Sequence, residues 1–96
     1  MPKLLRLTNE AGTEEQYLFH CPGCKCDHSF TTKHPTRSPW QFNGDMENPT
    51  FSPSLLVWAS RPEARCHLFL RDGKIQFLND CHHELAGETV DMVEME

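Results

Sequence analysis

The segment CHLFLRDGKIQFLN, residues 66–79, decides the fold that this sequence predicts. Two runs of alternating character, residues 66–71 and 74–79, flank the dipeptide Asp72-Gly73. An Asp-Gly dipeptide between such runs is typical of a two-residue β-hairpin turn whose central residues both take positive φ. The segment therefore predicts an antiparallel hairpin.

The register of this hairpin brings two cysteines together. The predicted pairs are Arg71 with Lys74, Leu70 with Ile75, Leu68 with Phe77, and Cys66 with Asn79. Because successive side chains point to opposite faces of a strand, Cys66 shares the apolar face with Leu68 and Phe77. Cys81 has the same parity, about 7 Å beyond Asn79. We therefore expect Cys66 and Cys81 to meet at the open end of the hairpin.

The rest of the chain indicates further short strands. They are predicted at residues 3–8, 16–20, 29–32, 40–42, 55–59 and 88–93. Residues 80–87 predict at most one short helical turn, which Gly87 would end. Pro49 and Pro53 indicate that residues 47–54 are not a central strand, because proline donates no hydrogen bond to a sheet.

Length and composition narrow the class of protein. The 96 residues predict one domain, and a core of this size often needs a metal or a disulfide in addition. The net charge of -5 makes nucleic-acid binding unlikely, because neutralising phosphates requires clustered Lys and Arg. We see no apolar run of ~20 residues for a membrane span and no signal-peptide pattern, so we expect a cytoplasmic protein. Disulfides are rare there, so the five cysteines and six histidines favour a metal.

Cys21-Pro-Gly-Cys24 has the spacing of a zinc knuckle. Two thiolates three residues apart can reach one tetrahedral ion, and Gly23 permits a tight turn and close backbone approach. Cys66 and Cys81 would complete a four-cysteine zinc site. The predicted fold class is therefore mainly β: a small zinc-stapled antiparallel sheet or ribbon-like domain with hairpins, residues 1–96.

Other ligand sets and other uses of the cysteines stay open. Reserve ligands are His28, His83, His67 and Cys26, because imidazole binds zinc as readily as thiolate does. A redox pair would need a βαβ context that the short strands do not supply, and unliganded cysteines are the remaining alternative. Water in place of one cysteine would open the site for metal-dependent hydrolysis, with His67, His83, Asp80 or Glu84 available as acid or base. The sequence contains no HExxH, P-loop or GxSxG motif.

The proline-rich centre, residues 49–56, has two interpretations. Two prolines around Thr50-Phe51-Ser52 favour an extended path that makes Phe51 a rigid anchor. Phe51 either crosses and fills the core or joins Trp40 and Trp58 in a partner-binding surface. Thr50, Ser52 and Ser54 can cap backbone amides in both cases.

Five ordered blocks resemble a family of small proteins encoded by phages and prophages. They are CPGC (21–24, with His28), WxFNGD (40–45), PTFSPSLL (49–56), CH (66–67) and DCxHxLAG (80–87). The family has no established function, and its occasional label "ammonia monooxygenase" lacks support in these residues, because that chemistry needs redox metal sites and membrane subunits. The resemblance implies a compact domain of bacterial or phage origin and draws attention to the cysteines above with His28, His67 and His83. Cys26 and His82 are additions to the family pattern.

These observations favour a non-enzymatic zinc domain in the cytoplasm of a bacterial host cell. The acidic surface and the set Trp40, Phe51 and Trp58 indicate a protein partner, plausible as a host factor. A small metal-dependent hydrolase is the first alternative. A nucleic-acid-binding zinc ribbon is the second, and the net charge of -5 disfavours it.

Overall fold

The chain forms two antiparallel sheets in a computed structural model that describes residues 3–58 and 60–94. The strands are β1 (Leu5–Thr8), β2 (Glu15–Cys21), β3 (Cys26–Lys33), β4 (Gln41–Phe42), β5 (Phe51–Val57), β6 (Cys66–Arg71), β7 (Lys74–Phe77) and β8 (Thr89–Asp91). The first sheet has the order β1-β2-β3, and the second has the order β4-β5-β6-β7-β8. The described residues contain no helix. The predicted antiparallel, mainly β class is confirmed.

The β6–β7 hairpin has the register that its sequence predicts. Leu68 pairs with Phe77, Leu70 with Ile75, and Arg71 with Lys74. The turn residues Asp72 and Gly73 have φ values of 48° and 75°, both in the left-handed region. Alternation then buries one face of the hairpin, and the opposite face carries the more exposed side chains.

The expectation that residues 47–54 are not a central strand is wrong, because β5 begins at Phe51 and lies between β4 and β6. Its pairing with β6 jumps from Phe51 opposite Leu70 to Leu55 opposite Leu68. Three residues of β5 therefore face a single residue of β6 across this bulge. Pro53 lies within the bulge, where the missing N–H costs no ladder bond.

Side chains from both sheets form one core. It consists of Leu4, Tyr17, Phe19, Cys21, Phe30, Phe51, Leu55, Cys66, Leu68, Leu70, Ile75, Phe77 and Met92. Phe30 of β3 and Phe51 of β5 stack with ring centroids 4.2 Å apart and planes 3° from parallel. This contact joins the two sheets, and it confirms the interpretation that Phe51 fills the core.

Residues 80–87 contain turns where the sequence predicted at most one helical turn. Ala86 N–H donates to the His83 carbonyl at 3.2 Å, and Glu88 N–H donates to that of Leu85 at 2.9 Å. The last residue of the strand predicted at 55–59, Ala59, lies outside the described residues. Residues 3–58 and 60–94 include no helix with the length and apolar character that a membrane span requires.

Candidate functional site

A serine, a histidine and an aspartate form a chain of hydrogen bonds on one face of the second sheet. Ser54 Oγ lies 3.1 Å from His67 Nε2. The other ring nitrogen, His67 Nδ1, lies 3.2 Å from Asp80 Oδ2. The His67 side chain is 24% exposed and that of Asp80 is 42% exposed. The group is therefore accessible from solvent.

The strand register explains why these residues meet. Leu56 of β5 pairs with His67 of β6, and Ser54 has the same parity as Leu56. Ser54 and His67 are therefore diagonal neighbours on the face opposite the core. Ser54 also follows Pro53 in the β5 bulge, and bulges of this kind redirect side chains next to functional sites. Asp80 approaches from the opposite side, just after β7.

The arrangement supports one consistent protonation pattern. His67 Nδ1–H donates to the Asp80 carboxylate, which leaves Nε2 free to accept the Ser54 hydroxyl proton. A serine, a base and a carboxylate that orients the base are the parts of a nucleophilic hydrolase, in which the histidine activates the serine.

Behind this face, four side chains from distant segments can hold a metal ion. The ligand atoms of Cys21, Cys24, Cys66 and His83 all lie within 4.8 Å of one another. Cys21 Sγ is 4.0 Å from Cys66 Sγ, and Cys66 Sγ is 3.6 Å from His83 Nε2. Ligands of a tetrahedral zinc at about 2.3 Å (S) and 2.0 Å (N) lie roughly 3.6–3.8 Å apart. The donor set therefore fits a tetrahedral ion.

The local sequence shapes the knuckle around His83. Cys24 N–H donates to Cys21 Sγ at 3.4 Å, a contact that stabilises a thiolate. A Cβ at residue 23 would lie 2.3 Å from His83 Nε2, so only glycine leaves room for the imidazole there. The close backbone approach predicted for Gly23 is confirmed.

The pKa values of the thiols in this cluster shift in opposite directions, because one ionised thiol disfavours ionisation of its neighbours. The pKa of Cys21 is lowered to about 3, chiefly by the hydrogen bond with Cys66. Burial and the neighbouring Cys21 charge raise the pKa of Cys24 to about 12, and the pKa of Cys66 is raised by its hydrogen bond with Cys21 and by burial. Burial also lowers the pKa of His83, which favours the neutral imidazole that binds metals. A cation is what would allow all three thiols to ionise together.

His28 adds a further sign of a metal. It is 7% exposed, and its Nε2 is a buried side-chain nitrogen that has no hydrogen-bond partner. Its ligand atom lies within 4.8 Å of those of Cys24 and Cys26. Orphaned buried nitrogens are rare, and this one lies beside Cys24, one of the four donors.

The remaining predicted ligands lie around this cluster. Cys81 Sγ contacts the backbone of His67, at 3.3 Å from the nitrogen and 3.2 Å from the oxygen, and Cys81 does not join the cluster of four. His67 belongs to the hydrogen-bonded chain with Ser54 and Asp80. Cys26 is exposed.

The predicted partner-binding residues differ in accessibility. Phe51 is 1% exposed, and Trp58 is 56% exposed. Trp40 packs partly buried against Phe30, with ring centroids 5.6 Å apart. Phe51 therefore contributes to the core, while binding of a partner by the two tryptophans stays a prediction.

Comparison with known proteins identifies the family. A family described as "Bacterial ubiquitination-like system serine protease (BubE)" matches residues 2–78. The chain belongs to this family. The BubE match includes Ser54 and His67 and ends two residues before Asp80. No curated protein and no solved structure matches the chain. Phage origin stays a prediction.

Ser54 is the residue of the candidate site that the sequence did not identify. His67 and Asp80 were recognised as available acid–base groups, but Ser54 was interpreted as a capping residue. No GxSxG-type motif surrounds it. The available signal was the position of Ser54 along its strand. Ser54 follows a proline and lies on the same face as the residue that pairs with His67.

Proposed function

We propose that this protein is a serine protease whose nucleophile is Ser54, with His67 as general base and Asp80 as the carboxylate that orients it. The observation that carries the proposal is the continuous chain from Ser54 Oγ through His67 to Asp80, at 3.1 and 3.2 Å. The family description names the same class of enzyme. The proposal departs from the non-enzymatic module that the sequence favoured.

The geometry assigns each residue one task. Ser54 Oγ attacks the scissile carbonyl carbon while His67 Nε2 accepts the hydroxyl proton. The C–N bond then breaks, and His67 returns the proton to the leaving amine. Water, activated by the same imidazole, hydrolyses the Ser54 ester. Asp80 holds the Nδ1–H tautomer and stabilises the imidazolium that forms in each step.

The proposed substrate is a protein of a bacterial ubiquitination-like system, as the family description suggests. In this proposal the predicted protein partner is the substrate itself. Leu56, on the same face as Ser54 and 46% exposed, offers an apolar surface beside the nucleophile. Nothing in this role requires the partner to be a host factor.

A fluorophosphonate probe tests the proposal. Ser54 Oγ forms a P–O bond, the P–F bond breaks with release of fluoride, and the Oγ proton passes to His67 Nε2. We expect the wild-type protein to be labelled, and labelling to be lost in Ser54→Ala and in His67→Ala. Only an activated serine reacts rapidly with such probes.

Ser52→Ala is the matched control, because Ser52 is an exposed serine of the same strand on the far side of Pro53. It should be labelled at the wild-type rate. Equal labelling of the wild type and Ser54→Ala would overturn the assignment of the nucleophile.

We propose further that the metal is zinc and that its role is structural. Three thiolates and one imidazole, from Cys21, Cys24, Cys66 and His83, suit zinc and fill a tetrahedral site with protein ligands. Such a closed site favours structural zinc over the water-activating zinc of a metal-dependent hydrolase. Zinc bound there would fix Cys66, the neighbour of His67, to the first sheet.

A further inference from the structure

A thiol occupies the position where the strand beside His67 ends. The register of β6 and β7 makes His67 and Leu78 the next pair after Leu68 and Phe77. Half of that pair forms, since Leu78 N–H donates to the His67 carbonyl at 2.9 Å. The Leu78 carbonyl, however, accepts the N–H of Cys81 at 3.3 Å. The backbone N–H of His67 therefore needs another acceptor.

The Cys81 side chain supplies it. His67 N–H donates to Cys81 Sγ at 3.3 Å, and the Cys81 thiol donates to the His67 carbonyl at 3.2 Å. One sulfur thus supplies the acceptor that the strand pair lacks, and it adds a second donor to the His67 carbonyl, which also accepts the Leu78 N–H. Next to Cys81, His82 N–H donates to the Arg65 carbonyl at 2.8 Å. These contacts fasten the segment after β7 directly onto β6.

This attachment lies directly beside Asp80 in the chain. Asp80 is adjacent to Cys81, and its side chain is 42% exposed, so burial does little to fix its carboxylate. The 3.2 Å contact between Asp80 Oδ2 and His67 Nδ1 joins side chains from two segments. Cys81 joins the backbones of the same two segments.

We infer that Cys81 is a positioning residue of the protease, which holds the backbone of His67 against the segment that carries Asp80. The inference rests on the proposed function of Ser54, His67 and Asp80. It also gives Cys81 a role other than metal ligand, since its sulfur is engaged by His67 while Cys21, Cys24, Cys66 and His83 supply four donors.

The test compares Cys81→Ala and Cys81→Ser with the wild type by three measurements. They are zinc content, the dependence of fluorophosphonate labelling rate on probe concentration, and the hydrogen-exchange rate of the His67 amide. Serine retains a donor and an acceptor at a shorter reach, whereas alanine has neither. Cys26→Ala is the matched control, because Cys26 is an exposed cysteine outside the four donors and in a different sheet from His67.

We expect Cys81→Ala to keep about one zinc per chain, as a residue outside the four donors should. Its maximal labelling rate should fall about 10- to 100-fold, because small displacements of a catalytic group are costly. The half-saturating probe concentration should change little, and the His67 amide should exchange faster. Cys81→Ser should recover most of the rate, and Cys26→Ala should match the wild type.

Loss of zinc in Cys81→Ala would overturn the inference, as would unchanged labelling and unchanged exchange. If Cys81→Ala does not fold, a folded Cys81→Ser variant without zinc would overturn it equally. If the wild type itself is not labelled, the proposed function fails, and exchange of the His67 amide still decides whether the Cys81 contact exists.

Discussion

At the scale of single residues, the candidate site joins side chains that no local pattern connects. Ser54, His67 and Asp80 lie on three separate segments, and each is 13 residues from the next. His67 and Asp80 were predicted as possible acid–base groups only for a water on an opened metal site. The bulge in β5 is what places Ser54 beside His67, and sequence spacing does not reveal how such a bulge directs a side chain.

Asp80→Asn tests the carboxylate without changing its shape. The amide does not hold His67 in the Nδ1–H tautomer, so Nε2 no longer serves as the base for Ser54. We expect the rate of fluorophosphonate labelling to fall by about 10³- to 10⁴-fold, while the circular dichroism spectrum is unchanged.

The pair His20 and Asp27 provides the control for this change. His20 Nδ1 lies 3.1 Å from Asp27 Oδ1, which makes it a second His–Asp contact, on the first sheet. Asp27→Asn should leave labelling at the wild-type rate. Labelling of Asp80→Asn that equals that of Asp27→Asn would refute the role of Asp80.

At the scale of strands, local chemistry predicted the hairpin but failed at the proline-rich segment. The turn dipeptide and the alternation of apolar and polar residues both lie within residues 66–77, so the register could be predicted from this stretch alone. Pro49 and Pro53 led to the wrong prediction that residues 47–54 are not a central strand. The structure accommodates Pro53 in a bulge between two paired strands, which depends on partners distant in sequence.

Phe51→Ala tests how much β5 depends on its aromatic anchor. Phe51 is 1% exposed and stacks on Phe30 and Phe42, with centroid distances of 4.2 and 4.5 Å. Its truncation removes buried apolar contacts and leaves a cavity, so the free energy of unfolding should fall by about 3–5 kcal/mol in urea titrations.

Trp58→Ala is the control, because this aromatic residue follows β5 and is 56% exposed. It should change the free energy of unfolding by less than about 0.5 kcal/mol. Equal losses in the two variants would contradict the assignment of Phe51 to the core and Trp58 to the surface.

At the scale of the whole molecule, the cysteine cluster links the two sheets. Cys21 ends β2 in the first sheet, whereas Cys66 begins β6 in the second. The sequence predicted that both join Cys24 at one metal. The prediction of Cys81 as the fourth ligand assumed that the strand continues past residue 79. Because β7 ends at Phe77 and the chain then turns, His83 reaches the other three donors.

Removal of the metal should unfold the protein. Coordination of a structural zinc contributes on the order of 10 kcal/mol, which is comparable to the whole stability of a small domain. We expect a strong chelator to release about one zinc per chain, measured by a colorimetric dye, and the β-sheet circular dichroism to be lost with it.

Cys66→Ser should reproduce the effect of the chelator, and Cys26→Ser should bind zinc and fold as the wild type does. Cys26 is the control because it is an exposed cysteine near the same loop. A metal-free protein with unchanged circular dichroism would contradict a structural role for the ion.

Activation of Ser54 by the His67 imidazole is tested by locating a covalent adduct. The protein is treated with diisopropyl fluorophosphate, digested and mapped by tandem mass spectrometry. We expect a single adduct on Ser54 that is absent from His67→Ala. An adduct on another residue, or no adduct on a folded, zinc-loaded protein, would contradict it.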